Sequence, residues 1–347
     1  MNKLNDQMIT KLTDTFDEAS MLYYHAMINE EIDNTAVTNY DKEKGRLNYY
    51  ECLLKVIDFF LENTKIEDSS LDDETIQKIQ NLFNELDSEI EKNGLNNEEV
   101  RKALLLLDIK GFKNLNYSLD LITPDNIGYI IVKLIEAMIT KKKLKILDPN
   151  FGVGNLAFTI ANNLDKEVEL VGMDNHSLMA EVAVHKSNLL QEEINIFHQD
   201  ALEYLPRDVD LVVSDLAVYD YENAEYDSPL YKKEVRYFPY LVIEHYLNLT
   251  GEPKYIYIID NNFFSQKGST ELKKLIDEKA TIKAFVTLPP DMFQINNVGK
   301  ALLILEKKVT TNKNIPIFML PSTKHKEAFL NTMAEILNCL KKGSVNN

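Results

Sequence analysis

The chain has 347 residues, 45% of them hydrophobic and 27% charged, the balance of a water-soluble globular protein with room for two domains. No apolar run reaches the roughly 18 residues of a membrane span, and the polar start MNKLNDQMITKL lacks the apolar core of a secretion signal, so a cytoplasmic setting without membrane attachment is expected. Net charge is −17, with −12 in residues 1–120 and −5 in residues 121–347, and such a front opposes the phosphate contacts on which nucleic-acid binding rests.

Residues 1–115 predict an acidic helical domain. Apolar residues recur at helical spacing in Leu53, Val56, Ile57, Phe60 and Leu61, and again in Ile76, Ile79, Leu82, Phe83 and Leu86, with no proline before Pro124. The polar stretches Glu62–Leu71 and Lys92–Asn97 predict turns between helices. A helical unit with one apolar face suits either a homodimer or a protein partner.

From residue 116 to 347 the pattern predicts an α/β domain. Thr123-Pro124 opens a helix to about Thr140, since proline suits the first helical turn. Strands are then predicted at Leu144–Leu147, Val168–Met173, Ile194–His198, Val209–Val213, Tyr255–Ile259, Thr281–Leu288, Ala301–Glu306 and Ile315–Leu320. Helices are predicted at Gly154–Leu164, Ser177–Leu190, Phe238–Leu249, Ser269–Glu278 and Glu327–Lys341. This alternation implies a Rossmann-like, doubly wound, mostly parallel sheet. The run Lys141-Lys142-Lys143 lies before the first strand, hence at the amino edge, and is expected to be a solvated helix end that complements the helix dipole.

The sharpest motif is Ile146-Leu-Asp148-Pro149-Asn-Phe-Gly152-Val-Gly154-Asn-Leu156, a strand, a glycine turn and a helix start. Two glycines let the backbone approach a ligand, and the helix start offers free N–H groups. Asp174, 22 residues past Gly152, ends the next predicted strand, where a carboxylate accepts from ribose hydroxyls. Gly152-Val-Gly154-Asn-Leu-Ala157 alone also satisfies a dinucleotide fingerprint, so an NAD-dependent dehydrogenase stays a rival on these residues. The two cysteines, Cys52 and Cys339, and the six histidines show no metal-ligand spacing, so no metal is expected.

Asp148-Pro149 ahead of the glycines resembles the D-P-x-x-G-x-G-x-L signature of the N6-adenine DNA methylase superfamily, within the class I S-adenosylmethionine (SAM)-dependent methyltransferases. The resemblance covers about residues 115–307. It includes Leu288-Pro-Pro-Asp-Met-Phe293 and the strand after Gly299, which are similar to segments of type I modification subunits. The whole chain resembles stand-alone proteins of low-GC Gram-positive bacteria that carry this domain. The resemblance implies SAM as cofactor. Thr123 and Pro124 would lie at its methionine end, Asp148, Pro149, Gly152 and Gly154 along its loop, Asp174 at its ribose and Asp200 at its adenine amine.

In amino-methylating members the fourth strand ends in Asn/Asp/Ser-Pro-Pro-Tyr/Phe. The polar side chain and the next carbonyl accept the N–H bonds of an exocyclic amine and aim its lone pair, and an aromatic ring stacks on the extruded base. Here the corresponding segment reads Ser214-Asp215-Leu216-Ala217-Val218-Tyr219, so the resemblance implies Asp215 as the catalytic group. Tyr219 and Tyr221 are candidates for the substrate-stacking ring. Leu216 and Ala217 replace both prolines, which predicts a less rigid turn. The segment from Tyr219 to Tyr237 reads either as a substrate lid with stacking faces or as a solvated loop whose rings cover the sheet edge. The altered motif leaves a non-catalytic SAM-binding or protein-interaction module as the main rival to an enzyme. DNA stays an open acceptor, disfavoured by charge.

Overall fold

The computed structural model describes residues 4–32, 47–62, 66, 68, 70–293, 299–308 and 314–342. The predicted turn at 62–71 lies partly outside the described residues. The chain forms two compact units, one of residues 1–119 with 181–192 and one of residues 120–180 with 193–347.

The first unit is built on α1 (Asp6–Ile32), α2 (Tyr49–Glu62), α3 (Asp73–Asn93) and α4 (Asn97–Asn114). Side chains decide where these helices begin. Asp72 accepts from the Thr75 amide ahead of α3, and Asn96 and Glu99 form a reciprocal capping box ahead of α4. Gly94 ends α3 at φ 73°, a conformation open to glycine. Phe60 stands edge-on to Phe16 and to Phe83, each pair at 5.3 Å, which ties α1, α2 and α3 into one core. Beside it lies a buried polar cluster. Lys186, from the stretch 181–192, pairs with Asp108 of α4, and the Tyr50 hydroxyl donates to the same carboxylate at 3.2 Å.

The second unit is one eight-stranded sheet flanked by helices. Its strands are β1 (Lys143–Asp148), β2 (Glu167–Asp174), β3 (Ile194–His198), β4 (Leu211–Asp215), β5 (Lys254–Asp260), β6 (Thr281–Thr287), β7 (Lys300–Glu306) and β8 (Ile317–Met319). Their order is β3-β2-β1-β4-β5-β7-β6-β8. All neighbours run parallel except β7, which is antiparallel to both β5 and β6. The sheet is therefore mixed α/β and mostly parallel, as the alternation predicts. The central strands β4, β5 and β7 read as near-continuous apolar runs because both of their faces are covered, whereas the edge strands β3 and β8 hold no fully buried residue. The helices are α5 (Asp125–Met138), α6 (Asn155–Asn163), α7 (Ser177–Leu190), α8 (Pro229–Lys232), α9 (Phe238–Tyr246), α10 (Ser269–Lys279) and α11 (Lys326–Lys342), and the end of α7 belongs to the first unit.

The lysine run differs from expectation. α5 ends at Met138 with no basic residue in its last turn, and Lys143 and Lys145 lie within β1. The lysines meet carboxylates of the adjoining segments instead: Lys141 with Asp210 at 2.8 Å, Lys145 with Glu169 at 2.9 Å, and Lys143 with Glu167. Parallel strands bring their starts together, so charges on neighbouring strands decide the pairing. Among the described residues no helix is long and apolar enough to cross a membrane, and no group of three or more His, Cys, Asp or Glu side chains is arranged to hold a metal ion.

Candidate functional site

The strand order reverses between β1 and β4, and at such a switch point the loops leaving the carboxyl ends diverge to form a crevice. The glycine loop lies there. Phe151 anchors it: the ring is buried, and its backbone N–H donates to the Met173 carbonyl at 3.0 Å. A Cβ on Gly172 of β2 or on Gly154 would overlap that ring, at 2.3 and 2.5 Å, so both positions require glycine for packing. Gly152 is different. Its φ is 53°, and a Cβ there would meet nothing within 4 Å, so it faces open space. Gly152→Ala is therefore expected to lower stability by only about 1 kcal/mol, the cost of a left-handed L-residue, as read from denaturant unfolding.

Carboxylates follow successive strands around this opening. Asp174 ends β2 and accepts from the Gly152 amide at 2.9 Å and the His176 amide at 2.8 Å. Burial raises its pKa, against the pull of those two amides. Asp200 follows β3 and accepts from the Leu202 amide at 2.8 Å and the Tyr221 hydroxyl at 2.7 Å. Asp148 ends β1, 2% exposed, and accepts from the Ser214 hydroxyl at 2.7 Å and the Asn150 amide at 3.0 Å. Burial pushes its pKa up to about 7, opposed by those two donors and reinforced by the negative charges of Asp215 and Asp174. Pro149 sits in the turn between Asp148 and Asn150, and Pro124 caps the start of α5 without a side-chain bond.

Asp215 ends β4. Its Oδ2 accepts from the Thr123 hydroxyl at 3.0 Å, so Thr123 of the Thr-Pro pair meets the motif at the end of the fourth strand. Asn155, the first residue of α6, donates to the Thr123 carbonyl at 2.7 Å and holds that pair in place. The turn after Asp215 departs from the predicted looseness. Prolines would carry no N–H groups at 216 and 217. Here the Leu216 amide donates to the Ile258 carbonyl at 3.1 Å and the Ala217 amide to the Asn150 side chain at 3.2 Å. Hydrogen bonds thus fix the turn where pyrrolidine rings would otherwise stiffen it.

The two candidate tyrosines separate. Tyr219 is 40% exposed and stacks on Phe238 at 4.5 Å. Tyr221 is buried at 6%, and its hydroxyl is spent on Asp200, so it supports that carboxylate rather than presenting a stacking face. The segment 219–237 is not the solvated edge loop of the second reading above: its buried residues join one core with Leu147 of β1, Val212 of β4 and Tyr255 and Tyr257 of β5. Leu230, Val235 and Tyr237 are buried, Tyr237 donates to Asp260 at 2.7 Å, and the Arg236 guanidinium lies 3.7 Å from the centre of the Tyr231 ring.

One neighbour of Asp215 has no counterpart in the expected site. Lys300, the first residue of β7, donates to both Asp215 oxygens at 2.7 and 2.8 Å. The sequence places it only at a strand start. That this start meets the end of β4 follows from β7 running antiparallel to β5, which local periodicity does not encode.

Residues 118–337 match the family model described as N-6 DNA Methylase. The chain is 33% identical over 312 residues to YtxK, an uncharacterised protein of Bacillus subtilis (strain 168), covering 87% of this chain and 93% of that one. Among solved structures, a candidate class I SAM-dependent methyltransferase from Listeria monocytogenes superposes with a TM-score of 0.81 at 25% identity, over 97% of this chain and 100% of that one. A type I restriction-modification methyltransferase subunit from Streptococcus thermophilus superposes with a TM-score of 0.60 at 12% identity, over 95% of this chain and 92% of that one, a likeness of fold.

Proposed function

The chain belongs to the N-6 DNA methylase family and has the fold of its methyltransferases, and from that premise we propose that it is a SAM-dependent methyltransferase acting on an amino group. The observation that carries the reading is the opening at Gly152, a backbone turned to positive φ beside Asp174 with no side chain above it. The donor set suits this cofactor. SAM carries ribose hydroxyls, an adenine amine and a sulfonium, all donors or positive, and the crevice meets them with the acceptor-only carboxylates Asp174 and Asp200 and the loop Asp148–Gly154. Thr123 donates to Asp215, and in this reading it would take the methionine end of the cofactor with Pro124.

When bound, the cofactor supplies an electrophilic methyl carbon on sulfur. The chain's own residues position the acceptor. Asp215 accepts the acceptor's N–H bonds and draws positive charge toward itself, and the tied turn at 216–217 keeps the neighbouring carbonyl in place. Tyr219, partly exposed and stacked on Phe238, is the ring that could stack on the acceptor. Net charge argues against a DNA acceptor.

Calorimetric titration tests this reading. SAM should bind and NAD should not. Asp174→Ala should weaken SAM roughly tenfold or more, the usual effect of losing a charge-assisted hydrogen bond. Failure of SAM to bind at millimolar concentration would refute the proposal. A second reading, a SAM-binding module without catalysis, is favoured by one observation: the Asp215 carboxylate already carries the Lys300 ammonium. Transfer of a labelled methyl group to any cell component would rule that reading out.

A further inference from the structure

The group that sits on Asp215 has a chemistry of its own. The Asp215 and Lys300 side chains are only 13% and 19% exposed, and the ammonium donates to both carboxylate oxygens while Thr123 donates to one. Lys300 is held there by its backbone. It lies opposite Asp260 in the β5–β7 ladder, and the preceding Gly299 accepts from the Asn261 amide at 2.9 Å. A Cβ on Gly299 would stand 2.1 Å from the Asn261 side-chain nitrogen, so any other residue here requires that asparagine side chain to turn away. A primary alkylammonium thus fills the carboxylate assigned to the methyl acceptor.

We propose that Lys300 is an internal stand-in for the substrate and that the acceptor is itself a primary alkylamine, arriving as an ammonium that exchanges with Lys300 on Asp215. The proposal rests on the reading of Asp215 as the acceptor-orienting group. Exchange of one ammonium for another leaves a largely buried carboxylate neutralised throughout. An aromatic exocyclic amine brings only neutral N–H donors and no positive charge, so in the place of Lys300 it would leave a largely buried carboxylate without a counter-charge, and it does not dislodge the lysine. Lys300 stands on a flexible four-carbon stem that can turn its charge to water. The net charge of −17 acts in the same direction, concentrating cations and repelling polyanions. Once seated, the acceptor gives one proton to Asp215 and through it to solvent. Its freed lone pair forms the nitrogen–carbon bond as the carbon–sulfur bond breaks, with that electron pair leaving on sulfur. The products are a methylammonium, a neutral thioether and one released proton. A small polyamine and a lysine side chain of a basic peptide share this chemistry.

Two measurements on the full chain test the proposal. The first is calorimetric binding of n-butylammonium, with no cofactor present, to wild type, Lys300→Met, Lys300→Gln and Asp215→Asn. Removing the internal competitor should tighten butylammonium binding about tenfold, the factor expected when a site is held most of the time by another group. Asp215→Asn should abolish it. Unchanged or weaker binding in folded Lys300→Met and Lys300→Gln would overturn the proposal, because a merely structural lysine predicts that result. The second measurement offers methyl-labelled SAM with spermidine, a lysine-rich peptide, adenosine or an adenine-containing DNA duplex. Label in the spermidine or peptide arm is expected and tells the two sources apart. Label only in adenosine or DNA, or in no arm while SAM binds, would overturn the alkylamine assignment. Absence of SAM binding would instead sink the methyltransferase reading beneath it.

Discussion

Replacing Lys186 by methionine is expected to destabilise the first unit by about 3–5 kcal/mol, the cost of leaving one partner of a buried ion pair without the other. The side chains of Lys186 and Asp108 are only 3% and 2% exposed, so water cannot solvate the carboxylate left behind. Burial already pushes the Asp108 carboxyl upward, against the pull of Lys186, of the Tyr50 hydroxyl and of Arg101. Without Lys186 its folded pKa rises further above the unfolded value. A raised carboxylate favours the fold while it is protonated and loses that contribution as pH rises through its folded pKa. The loss in Lys186→Met should accordingly be larger at pH 8 than at pH 5. Urea unfolding followed by circular dichroism at the two pH values gives both numbers. A loss below about 1 kcal/mol at pH 8 would show the pair to be no more than a surface-like contact.

The second large effect concerns Asp148. Its pKa of about 7 lies above the unfolded value of 3.8, so the group binds a proton in the folded state over the interval between them. Stability from this group is fully present below the unfolded value and declines as pH rises toward 7, by about 4 kcal/mol in total and about 2 kcal/mol from pH 5.5 to 8. Asp148→Asn should abolish that slope. The amide oxygen still accepts from the Ser214 hydroxyl and the Asn150 amide, both of which meet Oδ1 in the wild type, and no buried charge develops. The variant should therefore lose about 2 kcal/mol less than wild type between pH 5.5 and 8, and be the more stable protein at pH 8. Parallel pH slopes for the two proteins would show that Asp148 stays ionised throughout.

Much of the second unit is legible from periodicity. Each predicted strand from 144 to 320 corresponds to an observed strand within a few residues, because an apolar run bounded by polar or glycine-containing turns has few other places to go. The last strand is shorter than predicted, Ile317–Met319, since only that part finds β6 as a partner. Asp148, Gly152, Gly154 and Asp174 are legible as a group because the loop and the next strand end lie in one continuous stretch of chain. Other parts of the site lie far apart in sequence. Asn150 substitutes for the stiffness of two prolines by reaching Ala217, 67 residues away, and a lone asparagine announces nothing of the kind. Tyr221 looks like a stacking ring in a tyrosine-rich segment, and only the fold shows its hydroxyl turned to Asp200.

The sequence by itself determined the mostly parallel α/β sheet, the glycine turn after β1 and the acids that end successive strands. Those features are written in spacings of a few residues, and backbone sterics and burial read such spacings directly. The tertiary structure alone decided that β7 runs backwards between β5 and β6, that residues 181–192 fold with the helical unit, and that Lys300 closes on Asp215. Each of these depends on which strand ends and helix faces meet across the chain. That choice is made by the packing of the whole unit rather than by any local run of residues.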